Sequence, residues 1–224
     1  LALECAVVSA REILPAEKAR RLGQRIRASM ITQTDIDVPR IGAYGNPYLS
    51  YRETAILIGL VRMVEPEVMI EIGCNAGRTA RNVLDHVRSI YRYVGVDAPF
   101  EHMPTLRQQD SERVISPGLF ARDEARFELI VAERGSLSLT KDDLPACDVA
   151  FIDGDHSAQA VLHDSKLAFE LVRPGGVIIW HDYGNQAVEV TQAIDQLVNE
   201  GWAIELIANS WIAFMRIGGR HAAA

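Results

Sequence analysis

The stretch Val68-Met69-Ile70-Glu71-Ile72-Gly73-Cys74-Asn75-Ala76-Gly77-Arg78-Thr79 narrows the folds open to this chain more than any other part of it. Four apolar residues interrupted only by Glu71 read as a buried strand. Gly73 and Gly77 open a turn, and the residues after Gly77 have helical character. A strand, a glycine turn and a helix start form a cradle for the polar end of a ligand, because backbone N–H groups at a helix N-terminus lack internal partners. Glycine lets the ligand approach where a side chain would block it.

Three glycine turns compete for this stretch. A dinucleotide turn wants glycines at its first, third and sixth places, and here those places hold Gly73, Asn75 and Arg78. A phosphate loop ends in Gly-Lys-Ser/Thr, whereas Gly77-Arg78-Thr79 lacks the lysine and Ile72 stands where the earlier glycine belongs. What remains is acidic-x-Gly-x-x-x-Gly, carried by Glu71, Gly73 and Gly77. This resembles the first motif of class I S-adenosylmethionine (SAM) methyltransferases. The plain alternative is a tight turn with close helix packing and no ligand.

Length and charge set outer bounds. The 224 residues suit one α/β domain with an N-terminal extension. A net charge of −7 weighs against a nucleic-acid surface, which wants a basic stripe. Cys5, Cys74 and Cys147 are scattered and odd in number, as reduced thiols of a cytoplasmic protein would be. The apolar opening, Leu1 to Val8, includes Glu4 and has no basic stretch ahead of it, so it is not read as a signal peptide. No run reaches the roughly 18 apolar residues that a membrane span needs.

Along the chain, residues 12–29 carry helix formers and several arginines and predict a solvated helix, packed on the domain or on a second subunit. Residues 32–49, with Pro39, Gly42, Tyr44, Gly45, Pro47 and Tyr48, read as a connector or a lid. Ser50-x-x-Glu53 is a capping box that starts a helix near Tyr51. Tyr93 to Asp97 is a second strand ending in an acid. Asp97 stands twenty residues past Gly77, where a nucleotide site places a carboxylate for ribose hydroxyls. A turn or cap aspartate ahead of Pro99 is the alternative.

Residues 100–126 are broken by Pro104, Pro117 and Gly118, with a short helix near 105–115. Phe127 to Ala132 is a third strand, followed by Glu133-Arg134-Gly135-Ser136, whose small residues suit either a flat ring or a simple turn. The fourth strand, Val149 to Ile152, ends in Asp153, Asp155 and His156. The fifth, Val177 to Trp180, ends in His181 and Asp182 after Arg173-Pro174-Gly175-Gly176 has stopped the intervening helix. A helix over about 186–199 and two strands, near 203–208 and 211–216, close the domain. The link at Asn209 is so short that these two must be antiparallel.

Ligands of open α/β sheets bind at the carboxyl ends of the strands. Carboxylates and imidazoles gathered there could hold a divalent cation or move a proton. Alternatively, Asp155 and His156 merely cap a helix while His181 and Asp182 form a turn. The run F-I-D-G-D-H-S…L-V-R-P-G-G-V-I-I-W-H-D-Y resembles small-molecule O-methyltransferases of the SAM-dependent class I family, in their catechol-type and sugar-modifying branches. The resemblance covers about residues 50–217, leaving 1–49 as a helical extension and 218–224 as a tail. It implies a Rossmann-like α/β fold with a seven-stranded, mostly parallel sheet of order 3-2-1-4-5-7-6, its last strand antiparallel, and helices on both faces.

The resemblance also implies roles. Glu71, Gly73 and Gly77 would cradle the methionine end of SAM, with Asn75 in the turn and Asp153 nearby. Asp97 would hold the ribose and Ser136 would lie near the adenine. Asp153, His181 and Asp182 match the positions that bind magnesium, and His156 matches the general base. Because His181 replaces an oxygen ligand, the cation could be magnesium or manganese, or absent with His181 as the base. A histidine with a pKa of about 6.5 would take the acceptor's proton near neutrality. Tyr44, Tyr48 and Trp180 are candidates for closing over the acceptor.

The leading expectation is O-methylation of a small hydroxylated molecule by a cytoplasmic homodimer that binds neither membrane nor nucleic acid. Metal-independent N- or C-methylation, a non-catalytic SAM-fold partner and a nicotinamide dehydrogenase are the competing readings.

Overall fold

The computed structural model describes residues 6–9, 27–30, 48–106 and 116–218. Strands β1 (Ala6–Ser9) and β2 (Arg27–Met30) come first, then helix α1 (Tyr51–Arg62), strand β3 (Val68–Ile72), helix α2 (Arg78–His86) and strand β4 (Arg92–Asp97). Strands β5 (Phe127–Val131), β6 (Glu133–Ser136) and β7 (Cys147–Ile152) follow. Helix α3 (Ala158–Leu171), strand β8 (Val172–Trp180), helix α4 (Val190–Asn199), and strands β9 (Glu205–Ile207) and β10 (Ala213–Arg216) complete the order. Among the described residues no helix is long and apolar enough to cross a membrane.

The sheet runs β1-β2-β9-β10-β8-β7-β3-β4-β5. Its seven strands from β3 onward, β6 excepted, have the expected order 3-2-1-4-5-7-6, with β10 antiparallel to both β8 and β9. Two further strands add to the β9 edge, since β2 pairs parallel with β9 and β1 pairs antiparallel with β2. This corrects the expected helix over 12–29 at its last residues: Arg27–Ser29 lie in β2, where pairing with β9 outweighs helix propensity. The rest of that helix, residues 12–26, falls outside the described residues, and with it the dimer contact assigned to it. The lid reading of 32–49 keeps only Tyr48 and Leu49 among the described residues, and the helix near 105–115 keeps only 105 and 106.

Alternation along the strands builds two apolar layers. Ile70, Ile72, Ile152, Ile178 and Trp180 face α3 and α4. Met69, Tyr93, Phe151 and Ile179 face α1 and α2. Each aliphatic side chain enclosed in these layers contributes roughly 1.5–3 kcal/mol. The capping box of α1 is present in full, with Ser50 and Glu53 satisfying each other's backbone N–H groups. Strand β8 begins earlier than the glycines suggested. Its pairing with β7 jumps from Cys147–Val172 to Val149–Val177, so Arg173–Gly176 forms a bulge within the strand.

Register is what places the site. Ile72 pairs with Val96 on one side and with Ile152 on the other, and Ile152 pairs with Trp180. The next residue on each strand, Gly73, Asp97, Asp153 and His181, therefore stands on one rim at the carboxyl edge of four adjacent strands.

Candidate active site

A cavity of about 470 Å³ opens along that rim. On one side it is lined by Gly73, Asn75, Asp97 and Ser136, and on the other by Asp153, His156, His181 and Asp182. Gly73 has φ +86°, and a Cβ there would run into the main-chain carbonyl of Asp153, so the turn can lie against β7 only as glycine. Asn75 also takes a positive φ, 45°. The N–H groups of Gly73 and Cys74 both bond the Val96 carbonyl, at 2.8 and 3.1 Å. Asp97 secures the same turn: its Oδ2 accepts from the Asn75 N–H at 2.6 Å, and its Oδ1 from the Ala98 N–H at 2.7 Å. Burial raises the Asp97 carboxyl above its ordinary value, against these two bonds that lower it.

Two residues of the expected set stand behind the cavity wall. Glu71 points into the layer beneath the turn, 1% exposed, where the Tyr93 hydroxyl donates to its Oε2 at 2.9 Å. Burial, opposed by bonds from Tyr93 and Thr79, pushes its carboxyl up to about 8. Gly77, φ +77°, is the N-cap of α2 and packs against Gly118, where a Cβ would come within 3.0 Å of the Gly118 Cα. Neither lines the cavity; both shape the turn that does. Thr79, in the first turn of α2, does line it, and a helical periodicity alone could not mark it out.

The opposite side is held by charge. His156 Nε2 lies 3.0 Å from Asp182 Oδ2 and 3.7 Å from Asp153 Oδ1. His181 Nδ1 lies 3.3 Å from a carboxylate oxygen of each aspartate. Burial alone would lower both imidazoles, yet the flanking carboxylates win, raising His156 to about 10 and His181 well above its ordinary value. Asp182 moves the other way: burial would raise it, but both histidines hold it well below the usual carboxylate range. The expected near-neutral histidine is thus replaced by two imidazolium groups paired with two carboxylates.

Asp155 does serve the start of α3 and Asp182 a turn, without drawing His156 or His181 out of the cluster. Ser157 caps α3 through the Ala160 N–H, and Asp155 supports it by accepting from the Ser157 N–H at 2.8 Å. Asp182, at φ +62°, does form a turn, bonded to the Asn185 amide at 2.8 Å, and the turn directs its second oxygen to the histidines. One ligand atom from each of Asp153, His181 and Asp182 lies within 4.8 Å of the others. That spacing and the mixed oxygen and nitrogen donors fit a divalent cation, manganese better than magnesium, provided His181 gives up its Nδ1 proton to bind it. On the far side of the His181 ring, buried Nε2 makes no hydrogen bond among the described residues, and Glu53 Oε1 stands 3.7 Å away. Sequence reasoning saw Glu53 only as a helix cap. Its second role needs the Trp211 N–H, which holds Oε1 at 3.0 Å, and that contact joins residues far apart in the chain.

The acceptor side differs from expectation in its aromatics. Trp180 is fully buried, its indole N–H donating to Ser165 Oγ at 2.9 Å and its ring set edge-on to Trp202. It lies on the inner face because strand alternation sends it away from the rim. Tyr48 lines the cavity, Tyr44 lies outside the described residues, and Trp211 takes the place proposed for Trp180, with its ring centroid 6.3 Å from that of His181.

Residues 70–183, just over half of the chain, match the protein family described as Methyltransferase domain. Among curated proteins, "Uncharacterized protein R132" of Acanthamoeba polyphaga mimivirus is 33% identical over 82 residues, covering 35% of this chain and 32% of the relative. A Mycobacterium sp. (strain JLS) protein named "Putative O-methyltransferase" is 30% identical over 127 residues, covering 57% of this chain and 53% of the relative. The match thus spans about a third to a half of the length of these relatives. Among solved structures, the S-adenosylhomocysteine-bound methyltransferase PaMTH1 of Podospora anserina superposes with a TM-score of 0.57 at 14% identity, over 92% of this chain and 90% of that one. At that identity the likeness speaks for the fold.

Proposed function

The chain belongs to the Methyltransferase domain family, and from that premise we propose that it transfers the methyl group of SAM to a hydroxyl oxygen of a small molecule. The observation that carries this reading is the register that puts Gly73, Asp97, Asp153 and His181 on one rim of a single cavity. The glycine turn leaves room for close approach of the methionine end, and Asp97 has lone pairs beyond its two backbone bonds for ribose hydroxyls. Ser136, on the same side of the cavity as Asp97, would lie near the base, and the sulfonium methyl would face the aspartates and histidines across the cavity.

The acceptor oxygen forms a bond to the methyl carbon as the carbon–sulfur bond breaks, leaving the neutral thioether. The hydroxyl proton must leave, and His156, beside Asp182, is the group placed to move it. In the state described here His156 already holds a proton near neutrality, so its basic form requires that proton to go. A divalent cation held by Asp153, His181 and Asp182 would supply Lewis-acid charge that lowers the acceptor's pKa and fixes its direction. Glu53, facing Nε2, would orient the His181 ring for that ligation. Alignment of the two reactants is worth about 7–11 kcal/mol in favourable cases. The metal-independent reading is favoured by one observation: the two imidazoles and two carboxylates already neutralise one another.

Calorimetric titration with S-adenosylhomocysteine tests the cofactor. The wild-type protein is expected to bind, and Asp97→Ala to bind about tenfold more weakly or worse. Tight binding of NADH instead, with none of the thioether, would defeat the reading.

A further inference from the structure

The segment 98–106 leaves β4 at the rim and does not stay on that side of the cavity. Its Thr105 N–H donates to Asp155 Oδ2 at 2.7 Å, beyond the end of β7. In the sheet β3 lies between β4 and β7, so the segment crosses the end of β3, where the Gly73 turn sits. Pro99, Phe100, His102, Pro104 and Leu106 line the cavity along the way. At the near end the Ala98 N–H is fastened to Asp97 Oδ1. Two inter-strand spacings amount to about 10 Å, whereas residues 98–104 fully extended would reach about 23 Å. The surplus is folded into a turn, in which the His102 N–H donates to the Pro99 carbonyl at 2.9 Å. Fixed φ at Pro99 and Pro104 stiffens the arch that results. Asp155 gives one oxygen to each of two partners. Oδ1 accepts from the Ser157 N–H at the start of α3, a local contact, while Oδ2 holds a segment far away in the chain. The second bond is exposed to solvent, and one charge-assisted bond there holds the arch without making it permanent.

We propose that Asp155 latches the 98–106 strap across the cavity and so sets the rate at which the nucleotide leaves; this rests on the cofactor reading given above. With Oδ2 on the Thr105 N–H, the strap is tied down on both sides, at Asp97 and at Asp155. A ligand seated between the strap and the Gly73 turn departs only after the Asp155 bond has opened. Asp155 acts on the ligand through the strap and is a positioning residue. The short loop that carries it also carries Asp153 and His156, so the closed strap is tied to the segment that holds the proposed chemistry.

The test follows the release of radiolabelled S-adenosylhomocysteine, bound to the protein and chased with excess unlabelled compound, by rapid filtration. Asp155→Ala removes the acceptor of the latch. Thr105→Pro removes its donor and leaves Asp155 and the bond to Ser157 in place. Each substitution is expected to speed release about tenfold, as the loss of one charge-assisted hydrogen bond. Association should be no slower than in the wild type, because the ligand enters past an open strap; general damage to the cavity would slow it instead. The double variant should release the ligand no faster than the faster of the two single variants, since both substitutions break the same bond. Release at the wild-type rate from a folded single variant overturns the proposal and leaves the cofactor reading standing, and either variant decides the matter where the other does not fold. A double variant whose acceleration is the product of the two single effects overturns it as well. If the wild type binds no S-adenosylhomocysteine, the cofactor reading falls and this proposal with it.

Discussion

The two sides of the cavity are built by different means. On the glycine-turn side the defining contacts start from main-chain N–H groups, Gly73 and Cys74 to the Val96 carbonyl and Asn75 to the Asp97 carboxylate. Positive φ at Gly73 and Asn75 fixes that path before any charge is considered. On the other side four titratable side chains hold one another, and the positions of His156 and His181 depend on the protons they carry. Under the proposed function, a site made this way would separate recognition, carried by geometry, from chemistry, carried by protonation. Substitutions should therefore damage one without the other, except where the two sides meet.

The largest effect is expected from His156→Ala. Loss of a positioned proton carrier reduces turnover by about 10²–10⁴-fold. The same variant should bind S-adenosylhomocysteine within about threefold of wild type, because His156 touches none of the turn's main-chain donors. Methyl transfer followed by product chromatography, paired with calorimetry, measures both. Parallel loss of binding and turnover would abolish the distinction between the two sides.

Gly73→Ala tests the seam. Its Cβ would strike the Asp153 carbonyl while the backbone held φ +86°, so either the turn or β7 must move. A cost of about 3 kcal/mol or more in urea unfolding is expected, with cofactor binding lost and the Asp153 pairings loosened together. Wild-type affinity in a stable Gly73→Ala variant would mean that no ligand approaches this turn closely.

This contrast also explains what the sequence could and could not disclose. The strand order, the cap at Ser50 and Glu53, the turn at Gly73 and the acidic rim follow from periodicity, glycine placement and resemblance, all of them local or nearly so. Trp180 was misplaced because a run buried on both faces gives no alternation to say which face a residue takes. Trp211 and the second role of Glu53 arise from a contact between α1 and the turn before β10, which no spacing reports. The histidine protonation states were out of reach for the same reason: an ordinary pKa was assumed for His156, and only folding brings two carboxylates to it. Edge pairing of β2 with β9 likewise overrode a helix-forming composition.

Glu71, like Asp97, is a titratable group on the geometric side of the cavity, but it lies beneath the turn and out of the cavity. Its carboxyl, at about 8 in the folded protein against an ordinary 4.5, keeps its proton while the unfolded chain has lost it. Between those two values the folded state binds more protons than the unfolded state, so this residue's contribution to stability falls as pH rises through the interval, and it levels off above about 8. Glu71→Gln keeps an oxygen to accept from the Tyr93 hydroxyl and carries no ionisable proton. The variant should match wild type near pH 4 and exceed it by about 4 kcal/mol near pH 8, measured by urea unfolding across that range. Parallel pH profiles for the two proteins would show that Glu71 is ionised where it stands, and that the turn above it is held by charge as much as by backbone geometry.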